Sequence, residues 1–128
     1  MGEVEDPTVE CYFLVPLVRN RDKALHQPLA WDALDDALYA AFQGGTGPEH
    51  LFVALRPVPG QYRGRGGERI RDQSYRYLAA ILESRVEELR ALLRRAANTF
   101  DQECIYLSVR GLVEFVEGRP EDGSLTDA

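Results

Sequence analysis

The residues able to do chemistry gather in three places. One is Phe100-Asp101-Gln102-Glu103, followed by Tyr106. Here Glu103 is placed to act as a general base and Tyr106 as a hydrogen-bond donor. A carboxylate in a partly apolar pocket has its pKa lifted toward neutrality. The same stretch reads equally as a junction in which Asp101 and Gln102 satisfy backbone groups at a helix end. The second place is Gln61 to Gly67, rich in glycine and arginine. Glycine-rich turns present N–H groups to anions, and Arg63 and Arg65 add charge-assisted donors. The segment is neither a Walker loop nor a dinucleotide fingerprint, because a strand follows it. Tyr62, Tyr75 and Tyr77 would supply stacking platforms if it gripped single-stranded nucleic acid. A hairpin turn with solvated arginines explains it as well. The third is Asp72, set among Arg69, Arg71 and Arg76, where ion pairing along or across strands is the plain alternative. No histidine accompanies Ser74 or Ser108, so no hydrolase triad is legible.

Two histidines, His26 and His50, precede predicted elements without ligand spacing. We expect them exposed or capping, and expect neither metal nor cofactor. Cys11 and Cys104 lack a Cys-x-x-Cys spacing. Each reads as a small buried residue.

The elements that must position these residues follow from periodicity. Cys11 to Val18 is an apolar strand, with Pro16 at a bulge or an unpaired position. Pro28 to Phe42 is a helix, proline in its first turn and Trp31, Leu34, Leu38 and Phe42 on one stripe. Gly44 and Gly45 supply its exit. Leu51 to Leu55 and Gln61 to Arg63 form an interrupted second strand. Ile70 to Leu82 is a long third strand. It turns Tyr75, Tyr77, Ala79 and Ile81 one way, and Ser74, Arg76, Leu78 and Ala80 the other. Ser84 with Glu87 predicts a capping box opening a second helix. Val86, Leu89, Leu93, Ala96 and Phe100 are its apolar stripe. Glu103 to Val109 and Leu112 to Val116 are two further strands, joined by the two-residue turn Arg110-Gly111.

At 128 residues the chain suits one domain. We place a flexible lead at 1–9, the domain at 10–117 and a mobile acidic tail at 118–128. No apolar run approaches the roughly 18–20 residues that span a bilayer. The acidic first ten residues lack a signal-peptide pattern. A cytoplasmic location is expected. A net charge of −6 argues against binding nucleic acid over the whole surface.

The order β-α-β-β-α-β-β closes, with right-handed crossovers, into an α+β ferredoxin-like split βαβ sandwich. Its antiparallel sheet carries two helices on one face. Ile105, Leu107 and Val109 belong beneath the helices. Tyr12, Leu14, Cys104, Tyr106 and Ser108 belong to the open face. Cys11 and Cys104 open neighbouring antiparallel strands, so they lie too far apart to bridge. An apolar open face marks an interface or pocket, and we expect a dimer or higher oligomer to cover it.

Three stretches resemble a small bacterial family of unknown function with a ferredoxin-like fold. They are Phe42 to Thr46, Gly60 to Arg63 and Phe100 to Ile105. Tyr62 stands where that pattern has tryptophan, and the stretch after Gly45 is longer. The resemblance implies the fold and no activity.

The sequence favours a non-enzymatic oligomeric binding or accessory module. It would grip another protein or an anionic ligand through Tyr12, Arg63, Arg65, Tyr106 and Ser108. The alternative is a small cofactor-independent enzyme of the dimeric ferredoxin-like barrel type. Its pocket would lie at the sheet face, with Asp72, Glu103 and Tyr106 as catalytic candidates. Single-stranded nucleic-acid binding is a weaker third reading.

Overall fold

The computed structural model describes residues 6–42, 50–53, 58–63, 66 and 69–126. The elements run β1 (Thr8–Pro16), α1 (Pro28–Phe42), β2 (His50–Val53), β3 (Val58–Arg63), β4 (Arg69–Leu82), α2 (Val86–Thr99), β5 (Cys104–Val109) and β6 (Leu112–Glu117). The sheet order is β2-β4-β1-β5-β6, every pairing antiparallel, and β3 also pairs β4. This is the expected split βαβ arrangement, with β1 central and β6 extending one edge. The second strand is interrupted as predicted. Both pieces, β2 and β3, pair along the long β4.

Strand alternation decides which side of the sheet is dry. On β1, Val9, Cys11, Phe13 and Val15 are buried, whereas Thr8 and Glu10 are exposed and Tyr12 and Leu14 lie between. Tyr77, Ala79 and Ile81 of β4, with Ile105 and Leu107 of β5, complete the helix-facing side. Leu34 and Leu38 of α1 and Leu89, Leu93 and Ala96 of α2 close over them. Phe13 and Tyr77 stack face to face with centroids 4.7 Å apart. The Tyr77 hydroxyl donates to Asp35 Oδ1 at 3.5 Å. Burial lifts both groups above their ordinary pKa values. Cys11 lies in this core and Cys104 at the far end of β5 on the other face. Both are thiols, as the topology required.

Three local features depart from the sequence reading. The first is the start of α2, where no capping box forms. A 3-10 turn at Glu83–Arg85 leads into the helix without a side-chain cap. Ser84 instead donates its N–H and its hydroxyl to the two carboxylate oxygens of Asp6, at 3.0 and 2.5 Å. Asp6 is pre-positioned by Pro7, whose carbonyl accepts the Glu83 N–H. Strand β1 accordingly begins at Thr8, so the lead ends earlier than expected. The second is His26, which is buried and not exposed: 8% of its surface reaches solvent. Its Nε2 donates to the Pro16 carbonyl at 2.9 Å, and its ring meets Trp31 and Phe100 edge-on.

The third concerns residues 118–126, read from sequence as a tail, which lie against α2. Asn98 donates to the carbonyls of Arg119 and Gly123, each at 2.8 Å, and Thr99 Oγ1 accepts the Leu125 N–H. Acidic composition alone hid this, because the anchors are backbone groups. Where the sequence reading was local it holds. Arg110 and Gly111 both have positive φ, at 52° and 81°, and make the two-residue turn that matches strand twist. Gly44, Gly45 and the Phe42 to Thr46 stretch beyond Phe42 lie outside the described residues.

Candidate functional site

The face away from the helices is built from two rows that cross the sheet. Register sets Leu78, Tyr12, Ser108 and Val113 side by side, and sets Arg76, Leu14, Tyr106 and Phe115 side by side in the next row. Neighbouring strands lie about 4.8 Å apart, so four residues span roughly 15 Å. Phe115 and Val113 are 62% and 51% exposed, large values for apolar side chains on a sheet. Tyr106 and Phe115 pack edge to face with centroids 6.0 Å apart. The Arg76 guanidinium carbon sits 4.2 Å over the Tyr12 ring, and the Tyr12 hydroxyl donates to Glu10 at 3.4 Å. Ser108 is nearly buried between its neighbours. The result is an aromatic floor with Arg76 and Glu10 at its margin.

Sequence reasoning named Tyr12, Tyr106 and Ser108, and register brings all three together here. Glu103 precedes β5 and is separated from Tyr106 by an odd number of positions, which the two-residue period of a strand does not align. Asp72 pairs with Gly60 and Arg63 with Arg69 in the backbone ladder. The side chains of Asp72 and Arg63, and all of Arg65, lie outside what is described. Arg76, Val113 and Phe115 were missed as site residues. The signal was present, since the alternation of β4 and β6 assigns each to the open face.

A second recess of about 280 Å³ lies where the loop after β1 meets the end of α2, lined by Arg19, Arg21, His26 and Asp101 among others. Its cations are internally neutralised. Arg19 pairs Asp22 at 2.6 Å, and Arg21 approaches Asp101 at 3.7 Å while its N–H bonds the same carboxylate. Asp101, at φ 50°, takes the left-handed position ending α2, and the Gln102 N–H returns to the Ala97 carbonyl. Gln102 Nε2 donates to the carbonyls of Val18 and Phe100. The Phe100-Asp101-Gln102 run is therefore a helix end bolted to the loop after β1. Among the described residues no three potential metal ligands cluster, and no helix is long and apolar enough to cross a membrane.

Solved structures share this architecture. A phage SAM lyase in complex with S-methyl-5'-thioadenosine superposes with a TM-score of 0.61 at 18% identity, over 92% of this chain and 95% of that one. A phage SAM lyase in the apo state gives 0.56 at 15% identity, over 93% and 96%. At such identity the likeness establishes the fold. No protein-family model and no curated protein matches the chain.

Proposed function

We propose that the chain is a small enzyme of the ferredoxin-like type that cleaves a sulfonium nucleoside such as S-adenosylmethionine at its open sheet face. The observation that carries this reading is the aromatic floor of Tyr12, Tyr106 and Phe115 flanked by Arg76 and Glu10. Full-length likeness to two SAM lyase structures, one holding S-methyl-5'-thioadenosine, moves the balance from the accessory module to the enzyme.

The chemistry suits such a surface. Aromatic faces attract soft organic cations and stack on a nucleobase. To leave S-methyl-5'-thioadenosine, one carbon–sulfur bond of the sulfonium breaks and its electron pair goes to sulfur. The cation becomes a neutral thioether. The departing carbon fragment loses a proton or is captured by an oxygen. Positive charge at sulfur fades in the transition state, so apolar, water-poor surroundings favour it over the ground state. A single sheet face is too open to exclude water. A second copy of the chain packed on it would supply the cover, and light scattering that finds only monomer at high concentration would remove that part.

The test is product formation. Purified protein is incubated with S-adenosylmethionine, and S-methyl-5'-thioadenosine is quantified by liquid chromatography and mass spectrometry against a protein-free control. The expected outcome is release above the spontaneous rate, reduced about tenfold or more in Tyr106→Leu, as for loss of one well-placed stacking ring. Equal release with and without protein would end the lyase reading.

A further inference from the structure

The open face holds a cation that lacks a counter-ion among the described residues. Arg19, Arg21, Arg85, Arg90, Arg94 and Arg110 each lie within 3.7 Å of a carboxylate. Arg76 has no such partner among the described residues, and the contact it makes is with the Tyr12 ring at 4.2 Å. It is exposed, yet it is held on the floor by that ring and is not left free in solvent. A guanidinium supported on an aromatic face keeps its N–H donors available, and their fork matches a carboxylate in two parallel bonds.

Spacing adds the second part. Arg76 and Tyr106 are on strands either side of β1 and in the same row, so their backbone positions stand about 10 Å apart. That is the span of one extended molecule with a base at one end and an amino-acid group at the other. We infer that Arg76 is the anion receptor of this face, taking the α-carboxylate of a sulfonium ligand whose base stacks on Tyr106, with Phe115 edge-on to that ring. The ligand class rests on the proposed function above. Arg76 thereby acts as a specificity-determining residue, separating carboxylate-bearing sulfoniums from those that lack the group.

The test separates binding from turnover. S-adenosylmethionine and its decarboxylated analogue are titrated into wild-type protein, R76Q and R76K by isothermal calorimetry, and thioadenosine release is measured apart. Wild type should bind the carboxylate-bearing ligand at least tenfold more tightly than the analogue. In R76Q that ratio should fall to near one, with analogue affinity kept. R76K should lie between, having the charge without the fork. A wild-type ratio of one, an undiminished ratio in R76Q, loss of both ligands in R76Q, or no binding by wild type would each overturn the assignment. So would signals that move with protein concentration and not with ligand, since a second copy would then occupy Arg76. A tenfold ratio that R76Q abolishes, without thioadenosine release, would keep Arg76 as receptor and discard the lyase reading.

Discussion

Gln102 offers the sharpest test of the structural reasoning. It is 9% exposed, and its amide donates to the Val18 carbonyl at 2.9 Å and to the Phe100 carbonyl at 2.8 Å. Substituting Gln102→Ala leaves both carbonyls without that donor. An unsatisfied buried acceptor costs about 1–3 kcal/mol. The Phe100 bond is buried and should approach that range. The Val18 bond is partly buried, so water recovers some of its loss. The sum is about 2–3 kcal/mol, and at roughly 3–5 °C per kcal/mol for a chain of this size, Tm should fall by about 6–15 °C. Urea denaturation should show a lower midpoint with an unchanged slope, because the surface exposed on unfolding is nearly the same. Gln102→Leu should lose nearly as much while keeping the packing. Gln102→Glu adds a sign to check. A carboxylate facing two carbonyl oxygens has a folded pKa above its unfolded value, so its deficit should grow as pH rises through the carboxylate range and shrink in acid. A loss below about 0.5 kcal/mol in Gln102→Ala would refute the assignment of Gln102 as the bolt between helix end and loop.

Other expectations follow from single contacts. The Asp6 carboxyl is held below its ordinary pKa by the Ser84 hydroxyl and then by the Ser84 N–H. Its contribution is present above the unfolded carboxylate pKa and lost as pH falls through the lower folded one, so urea titrations of wild type and Asp6→Ala should converge in acid. Asp35 is raised, chiefly by burial. Its charge therefore opposes folding at neutral pH, and Asp35→Asn should gain stability at pH 7 and lose that gain below the carboxylate range. A β-carbon added at Gly118 would meet Asn98 Oδ1 at 2.4 Å. Gly118→Ala should thus displace the amide that anchors residues 119–123, costing about 1–3 kcal/mol for the broken bonds and speeding proteolysis after Gly118. Burial pushes the Cys11 thiol up to about 11, so a thiol reagent followed by mass spectrometry should modify Cys104 first and Cys11 only on unfolding.

The parts of the fold legible in sequence are those governed by repeating contacts. The alternation of β1, β4 and β5 assigned both faces, and with them Tyr12, Tyr106 and Ser108 to one surface. Local turn chemistry at Arg110-Gly111 was legible for the same reason: it depends on neighbours in the chain. What escaped was set by partners far along the chain. Ser84 is capped by Asp6, 78 positions away, and no local pattern announces that against Glu87. Burial of His26 requires Pro16, Trp31 and Phe100 to meet in space. Arg76 was visible as an open-face residue. Its seat over the Tyr12 ring without a carboxylate partner among the described residues is a property of three-dimensional neighbours.

Helix α2 is held at both ends by segments that flank the domain in sequence. Asp6 and Pro7 fasten the residues entering it, and Arg119 to Leu125 are tied to Arg95, Asn98 and Thr99 at its close. The helix and the two flanking segments should therefore open as one cooperative unit. Amide exchange at the first and last turns of α2 would then report on clipping at either flank. An expression fragment trimmed to 10–117 would carry a helix frayed from both sides, although all of the buried apolar core but Val9 remained in it.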